Sequence, residues 1–187
     1  MRIIAGTARS IPLKTVKGTN TRPTTDRIRE TLFNMIQIDV PGAVFLDLFA
    51  GSGAIGLEAL SRGAKYAVFV DNNRQAAACI EDNISAAKFR SVCEVKKMDY
   101  LAALRSMEGR FVFDIVFLDP PYGKEMAKEA LKALSDSSLC REDTMLIVEE
   151  SLDFEPYELE ETGFEVYRVK RYKTNQHIFL KMKLRNR

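Results

Sequence analysis

From residue 43 onward, short apolar runs alternate with stretches in which apolar residues recur every three or four positions. The runs near 43–48, 66–71, 92–97, 112–118 and 143–149 are rich in Val, Ile, Leu and Phe, which predicts buried strands. Between them, the spacing near 54–62, 73–87, 100–106 and 124–135 predicts helices. Regular alternation of this kind implies a doubly wound α/β fold, a parallel sheet covered on both faces. The end of the chain departs from it. Residues 163–172 and 176–184 both read as strands with only a short turn between, and a short turn joins antiparallel strands alone. Ahead of residue 43, Arg2-Ile3-Ile4-Ala5 and Leu13-Lys14-Thr15-Val16 read as a short hairpin. A helix then begins at Thr24 or Thr25, either of which suits an N-cap; Asp26 faces the positive end of its dipole, and Ile28, Leu32, Met35 and Ile36 form its apolar face.

A length of 187 residues with 46% apolar content suits one domain spanning 1–187, with 1–22 as a basic N-terminal extension of a core from 23 onward. No run of apolar residues is long enough to cross a membrane and no basic-then-apolar leader is present, so the expected location is cytoplasmic. Cys79, Cys93 and Cys140 show neither disulfide nor metal-ligand spacing, and the single histidine, His177, lies in a predicted strand and reads as structural; no metal is expected. The net charge of +2 conceals a strong asymmetry. Residues 1–25 carry five Lys or Arg and 166–187 carry eight, with no acid in either segment, whereas all 26 acids lie between Asp26 and Glu165 among only 15 bases. Two basic ends on an acidic body point to a polyanionic partner, although lysines on exposed strand edges also deter sheet-to-sheet pairing.

The chemistry concentrates at the carboxyl ends of predicted strands, where open α/β sheets bind ligands. Val44 to Ala50 runs into Gly51-Ser52-Gly53-Ala54-Ile55-Gly56 and then a helix, the strand–glycine turn–helix context that lets a backbone approach a ligand closely. The run at 66–71 ends in Asp71, 18 residues after Gly53, where an acid can accept from both ribose hydroxyls. This half alone fits NAD, FAD or S-adenosylmethionine, or simply a tight turn. Val112 to Leu118 ends in Asp119-Pro120-Pro121-Tyr122. Two prolines lock φ and leave carbonyls without competing N–H groups, so the loop can hold a rigid acceptor array beside a ring, parts suited to gripping a planar amine. Gly56 suits close helix–strand packing, and Asn72 and Asn73 read as helix-cap chemistry.

The glycine turn, Asp71 and Asp119-Pro120-Pro121-Tyr122 together resemble the class I S-adenosylmethionine-dependent methyltransferases that act on exocyclic nitrogens. Arg22-Pro23-Thr24-Thr25-Asp26-Arg27-Ile28-Arg29-Glu30-Thr31-Leu32-Phe33-Asn34, followed by Asp47-Leu48-Phe49-Ala50-Gly51-Ser52-Gly53, is similar to the RsmD-type 16S rRNA guanine-N2 methyltransferases, over nearly the whole chain. One departure stands in the N-terminal segment: where that family has a small basic Gly-Arg element, this chain has Ser10-Ile11-Pro12. The resemblance implies a seven-stranded sheet of order 3-2-1-4-5-7-6 with strand 7 antiparallel, and S-adenosylmethionine as cofactor. It places Asp47 near the methionine amine, Gly51 and Gly53 along the methionine and ribose, Asp71 on the ribose and Asp99 at the adenine amine, although Asp47 and Asp99 also suit helix caps.

For N2 methylation, Asp119 and the Pro120 carbonyl would accept the amine hydrogens while Tyr122 stacks on a base taken out of its helix. The implied partner is 16S rRNA or a small-subunit particle, held through phosphates by Arg2, Arg9, Lys14, Arg22 and Arg27, with the protein a monomer. Adenine N6 or a protein glutamine amide is the alternative acceptor for the same chemistry. An NAD-dependent oxidoreductase would leave Asp119 to Tyr122 without a role, and a catalytically dead RNA-binding module would not need the complete acceptor loop.

Overall fold

The structure, a computed structural model, describes residues 1–16, 26–121 and 125–183. Among these, seven strands form one sheet: β1 (Val44–Leu48), β2 (Tyr66–Val70), β3 (Cys93–Lys96), β4 (Ile115–Leu118), β5 (Met145–Glu150), β6 (Phe164–Arg171) and β7 (Gln176–Met182). Their order is β3-β2-β1-β4-β5-β7-β6, with β7 antiparallel to both neighbours and the rest parallel, as expected. Five helices accompany them: α1 (Asp26–Met35), α2 (Ala54–Ser61), α3 (Arg74–Ala87), α4 (Tyr100–Met107) and α5 (Met126–Ser135).

The pleat sorts the strand residues onto two cores, because successive side chains point to opposite faces. Phe45, Phe69, Ile115, Phe117, Ile147 and Phe179 pack with Leu32 and Phe33 of α1, Ile55 and Leu57 of α2, and Ile80 and Ile84 of α3. Their neighbours Leu46, Val68, Val116, Leu118, Val148 and Ile178 pack with Leu104 of α4 and Leu131 and Leu134 of α5. With both faces covered, the central strands read as continuous apolar runs, not as alternating ones. A Cβ on Gly56 would lie 2.3 Å from Phe69 Cε1, so the expected close helix–strand packing is real and admits no side chain.

Two expectations are corrected. The N-terminal hairpin pairs residues 1–3 with 11–13 and not with 13–16: Ile3 N donates to Ile11 O and Leu13 N to Met1 O, both at 3.0 Å, around the Arg2–Pro12 bridge, and the chain then leaves for α3, where Lys14 N donates to Asn83 Oδ1 at 2.8 Å. β4 starts at Ile115 and not at 112, since Phe113 N donates to Leu139 O at 2.8 Å. Two 3₁₀ helices, Arg90–Val92 and Pro156–Thr162, complete the described elements, the first taking Val92 from the start of the predicted 92–97 strand. The expected caps Thr24 and Thr25 lie outside the described residues.

Buried polar groups strap residues 1–16 to the core. Glu58 of α2 accepts from Ile4 N at 2.7 Å, Ala5 N at 3.0 Å and Arg62 Nε at 2.7 Å. Arg29 of α1, fully buried, donates to the Arg2 carbonyl and to Asp26 at 3.0 Å, with Glu58 3.8 Å away. Asn83 of α3 donates to Lys14 O at 3.1 Å and to Ser52 O at 2.9 Å, which links the strap to the glycine turn. Arg29 therefore organises the fold and offers nothing to a ligand outside.

Candidate active site

The sheet order reverses direction of build between β1 and β4, and the carboxyl ends of β1, β2, β4 and β5 meet at that switch point. The glycine turn after β1 is drawn tight: Phe49 and Ala50 both donate to Val70 O, at 3.1 and 2.9 Å. Phe49 has φ 95°, a conformation rare for a bulky residue and characteristic of sites where function holds the backbone under strain. Its ring sits 5.0 Å from that of Tyr100. Sequence reasoning missed Phe49, because nothing in a Phe between Leu and Ala signals a left-handed φ.

Asp47 is only 2% exposed and accepts from Gly56 N at 2.9 Å, so it caps α2 from a distance. Burial pushes its carboxyl up to about 7, against the Gly56 hydrogen bond and with help from the charge of Asp71. Asp71 accepts from Gly51 N at 2.9 Å and Asn73 N at 2.8 Å, and burial raises it too. Each Asp71 oxygen keeps a lone pair for a further donor. Asn73 caps α3 as expected, through Gln75 N at 2.8 Å and Ala76 N at 3.2 Å. Asp99 caps α4 with one oxygen, through Leu101 N at 2.9 Å and Ala102 N at 3.1 Å, and is exposed.

Asp119 follows β4 and has no hydrogen-bond partner among the described residues. Burial and then the charges of Glu149, Asp47 and Glu150 raise its carboxyl well above the usual range. Pro120 is buried and Pro121 exposed; Tyr122 lies outside the described residues. Glu149 and Glu150 were not singled out in sequence, since an acidic pair ending a strand reads as solvated, yet both are buried.

These raised acids predict a pH dependence of stability. Asp47 takes its proton more readily folded than unfolded, so its contribution is fully present below about pH 4 and lost as pH rises through about 7. Asp71, Asp119 and Glu150 shift in the same direction. Without cofactor, unfolding free energy is expected to fall between pH 5 and pH 8, by at most about 1.4 kcal/mol per pH unit for Asp47. Urea denaturation of wild type and Asp47→Asn checks this: the variant should lose less stability over that range, and equal slopes would refute the assignment.

The basic candidates separate. Arg2 and Arg9 are exposed and line a cavity of about 190 Å³ with Asp26 and Glu30. Arg27 is exposed, and Arg22 lies outside the described residues. Lys14 is exposed and pairs with Asp82 at 2.8 Å, which raises its amine. On the β6 edge, Lys170 is in register with His177, and Arg168 stands over the Phe179 ring at 5.8 Å. No group of metal-ligating side chains occurs among the described residues, and none of their helices is long and apolar enough to cross a membrane.

Comparison with known proteins agrees with this geometry. The family model described as Conserved hypothetical protein 95 matches residues 1–181. The chain is 38% identical over 156 residues to YlbH of Bacillus subtilis, covering 83% of this chain and 85% of that one. It is 36% identical over 154 residues to ribosomal RNA small subunit methyltransferase D of Haemophilus influenzae, covering 82% and 80%. The solved structure of the Escherichia coli protein yhhF superposes with a TM-score of 0.81 at 29% identity, covering 99% of each chain.

Proposed function

Since this chain belongs to the Conserved hypothetical protein 95 family, the RsmD-type methyltransferases, we propose that it transfers a methyl group from S-adenosylmethionine to the N2 amine of a guanine in small-subunit ribosomal RNA. The observation that carries this reading is the placement of Asp119 beside the glycine turn, at the one edge where β1, β2 and β4 end. A single cytoplasmic domain acting as a monomer suits the chain.

The residues present fit the cofactor. Gly51 has φ 57°, and nothing lies within 4 Å of where a Cβ would stand, so a ligand can pass against the backbone there. Asp47, Asp71, Asp119 and Glu150 form an edge whose negative charge is held back by burial, which a cationic ligand would relieve. Asp71 would accept from the ribose, Asp47 would face the methionine amine, and Asp99 would meet the adenine amine with the oxygen its cap leaves over. When bound, S-adenosylmethionine supplies a methyl activated by a sulfonium sulfur.

The chain's own work is positioning and charge. A guanine N2 lone pair is delocalised into the ring and is a poor nucleophile. Asp119 and the Pro120 carbonyl would accept the two amine hydrogens and favour a pyramidal nitrogen whose lone pair points at the methyl. Pro120 and Pro121 hold these acceptors with fixed φ. Tyr122 would stack on the base. The target must be unstacked, since a paired guanine keeps its amine in the helix.

The deciding experiment is incubation with labelled S-adenosylmethionine and unmodified small-subunit rRNA, free or in particles, followed by mapping of the modified base. Label in a guanine N2 supports the reading; label in adenine, or in protein alone, overturns it. Asp71→Ala is expected to weaken cofactor binding roughly tenfold or more with little change in the saturated rate, because ribose bonds are alike in ground and transition states; unchanged affinity by calorimetry would remove Asp71 from the site. Arg2→Ala with Arg9→Ala is expected to weaken RNA binding and to lower the salt slope by about 0.7 to 0.9 for each phosphate that the two arginines hold. Filter binding at several salt concentrations reads this, and a slope equal to wild type would assign both residues to solubility alone.

A further inference from the structure

A buried polar chain runs sideways from Asp119, and the methyl-transfer reading leaves it without a task. Leu118 pairs with Val148, and Glu149 pairs with His177, so Asp119, Glu149 and His177 occupy one row across β4, β5 and β7. Glu149 is 4% exposed and His177 is fully buried. Asn175 Nδ2 donates to Glu149 Oε1 at 2.6 Å, and His177 Nε2 lies 3.1 Å from Glu149 Oε2. The Tyr172 hydroxyl lies 3.0 Å from His177 Nδ1. The imidazole is further held edge-on by Phe117, with ring centroids 5.9 Å apart at 84°.

Proton assignment follows from this chain of partners. A hydroxyl donating to Nδ1 leaves the ring proton on Nε2, which then donates to Glu149. Glu149 thus receives a donor on each oxygen, and hydrogen bonds to the charged form favour it. Asp119, one strand away, receives none among the described residues. Two neighbouring carboxylates repel each other's charge, so an ionised Glu149 raises the affinity of Asp119 for a proton. Asp47 from β1 and Glu150 from β5 face Asp119 with the same sign, and Lys170 of β6 is the register neighbour of His177.

Resting on the rRNA amine reading above, we propose that Glu149, held by His177, Tyr172 and Asn175, is a positioning residue that makes Asp119 the acceptor of the proton lost from the substrate amine. As the N–C bond forms, the S–C bond breaks with its electron pair going to sulfur. The N–H bond then breaks, its pair stays on nitrogen, and the proton passes to Asp119, which releases it to solvent after the product leaves. Burial together with the Glu149 charge gives Asp119 the basicity for that step. A purely structural network would only satisfy the end of β5 and would not alter how rate depends on pH.

Single-turnover methyl transfer to unmodified small-subunit rRNA, measured from pH 5 to 9, separates the two. Wild type should lose rate on the acid side as Asp119 becomes protonated before turnover. In Glu149→Gln, which removes the charge and keeps the shape, that acid limb should move at least one unit lower, with a several-fold lower plateau from the weaker base. Tyr172→Phe, at a half-buried position that folding tolerates better, should move the limb the same way by less, because freeing Nδ1 releases the tautomer that feeds Glu149. His177→Gln keeps an N–H for Glu149 and should hold the limb within about half a unit of wild type. Limbs in Glu149→Gln and Tyr172→Phe that coincide with wild type, in protein that binds S-adenosylmethionine normally, overturn this inference alone. A wild-type protein that methylates no rRNA overturns the rRNA reading and this inference with it.

Discussion

Asp119→Ala is expected to lower the single-turnover rate of methyl transfer by about 10² or more while S-adenosylmethionine affinity stays within a few-fold. Removing an acceptor directed at developing charge costs about 3 kcal/mol or more when the group acts in a site with little water. Asp119 stands at the end of β4, away from the Gly51–Asp71 hydrogen bond that shapes the cofactor turn, so its loss should spare cofactor binding. Removing one member of the acidic cluster also relieves repulsion among Asp47, Glu149 and Glu150, so apo stability should hold or rise. Asp119→Asn retains one carbonyl acceptor but no basicity and should fall between alanine and wild type. Rapid-quench turnover with labelled cofactor, alongside calorimetry, reads both quantities. An alanine variant with near-normal single-turnover rates would remove Asp119 from the chemistry.

Glu58→Ala is expected to destabilise the fold by about 3–5 kcal/mol, the cost of leaving a buried charge without its partner. Glu58 is fully buried and serves the Ile4 and Ala5 N–H groups, Arg62 and the buried Arg29 together. Alanine would strand two backbone donors and the Arg29 guanidinium, whose charge burial already opposes. Replacing both partners by apolar groups, Glu58→Leu with Arg29→Met, should cost much less than the two single changes summed, because no charge is then left buried. Urea denaturation measures the set. A Glu58→Ala protein within about 1 kcal/mol of wild type would show that the N-terminal strap is not held through this carboxylate.

The two predictions differ in what made them possible. Asp119 stood out in the sequence because an acid before two prolines at the end of an apolar run is a local pattern, and local patterns survive without knowledge of the fold. The glycine turn and the Asn73 cap were legible for the same reason: each depends on residues adjacent in the chain. Glu58 was invisible, an acid in a helix with apolar neighbours, and Arg29 looked like one basic residue among several near a helix start. Their burial arises only when residues 1–5 fold back over α1 and α2.

Hydrophobic periodicity determined which segments become strands and helices, because burial on two faces or one leaves its period in the chain whatever the partners are. Composition placed both basic ends, and short motifs placed the acids at strand termini. Periodicity does not say which strands become neighbours; the order 3-2-1-4-5-7-6 was expected from family resemblance, and the structure bears it out. Only the tertiary structure put Asp119, Glu149 and His177 in one row from three separate strands, tied Lys14 to Asp82, and hid Arg29 in the core. A side chain's ionisation depends on the charges and donors within a few ångströms, and those come from distant parts of the chain, so the state of each acid at this edge was decided by packing and not by the residues beside it.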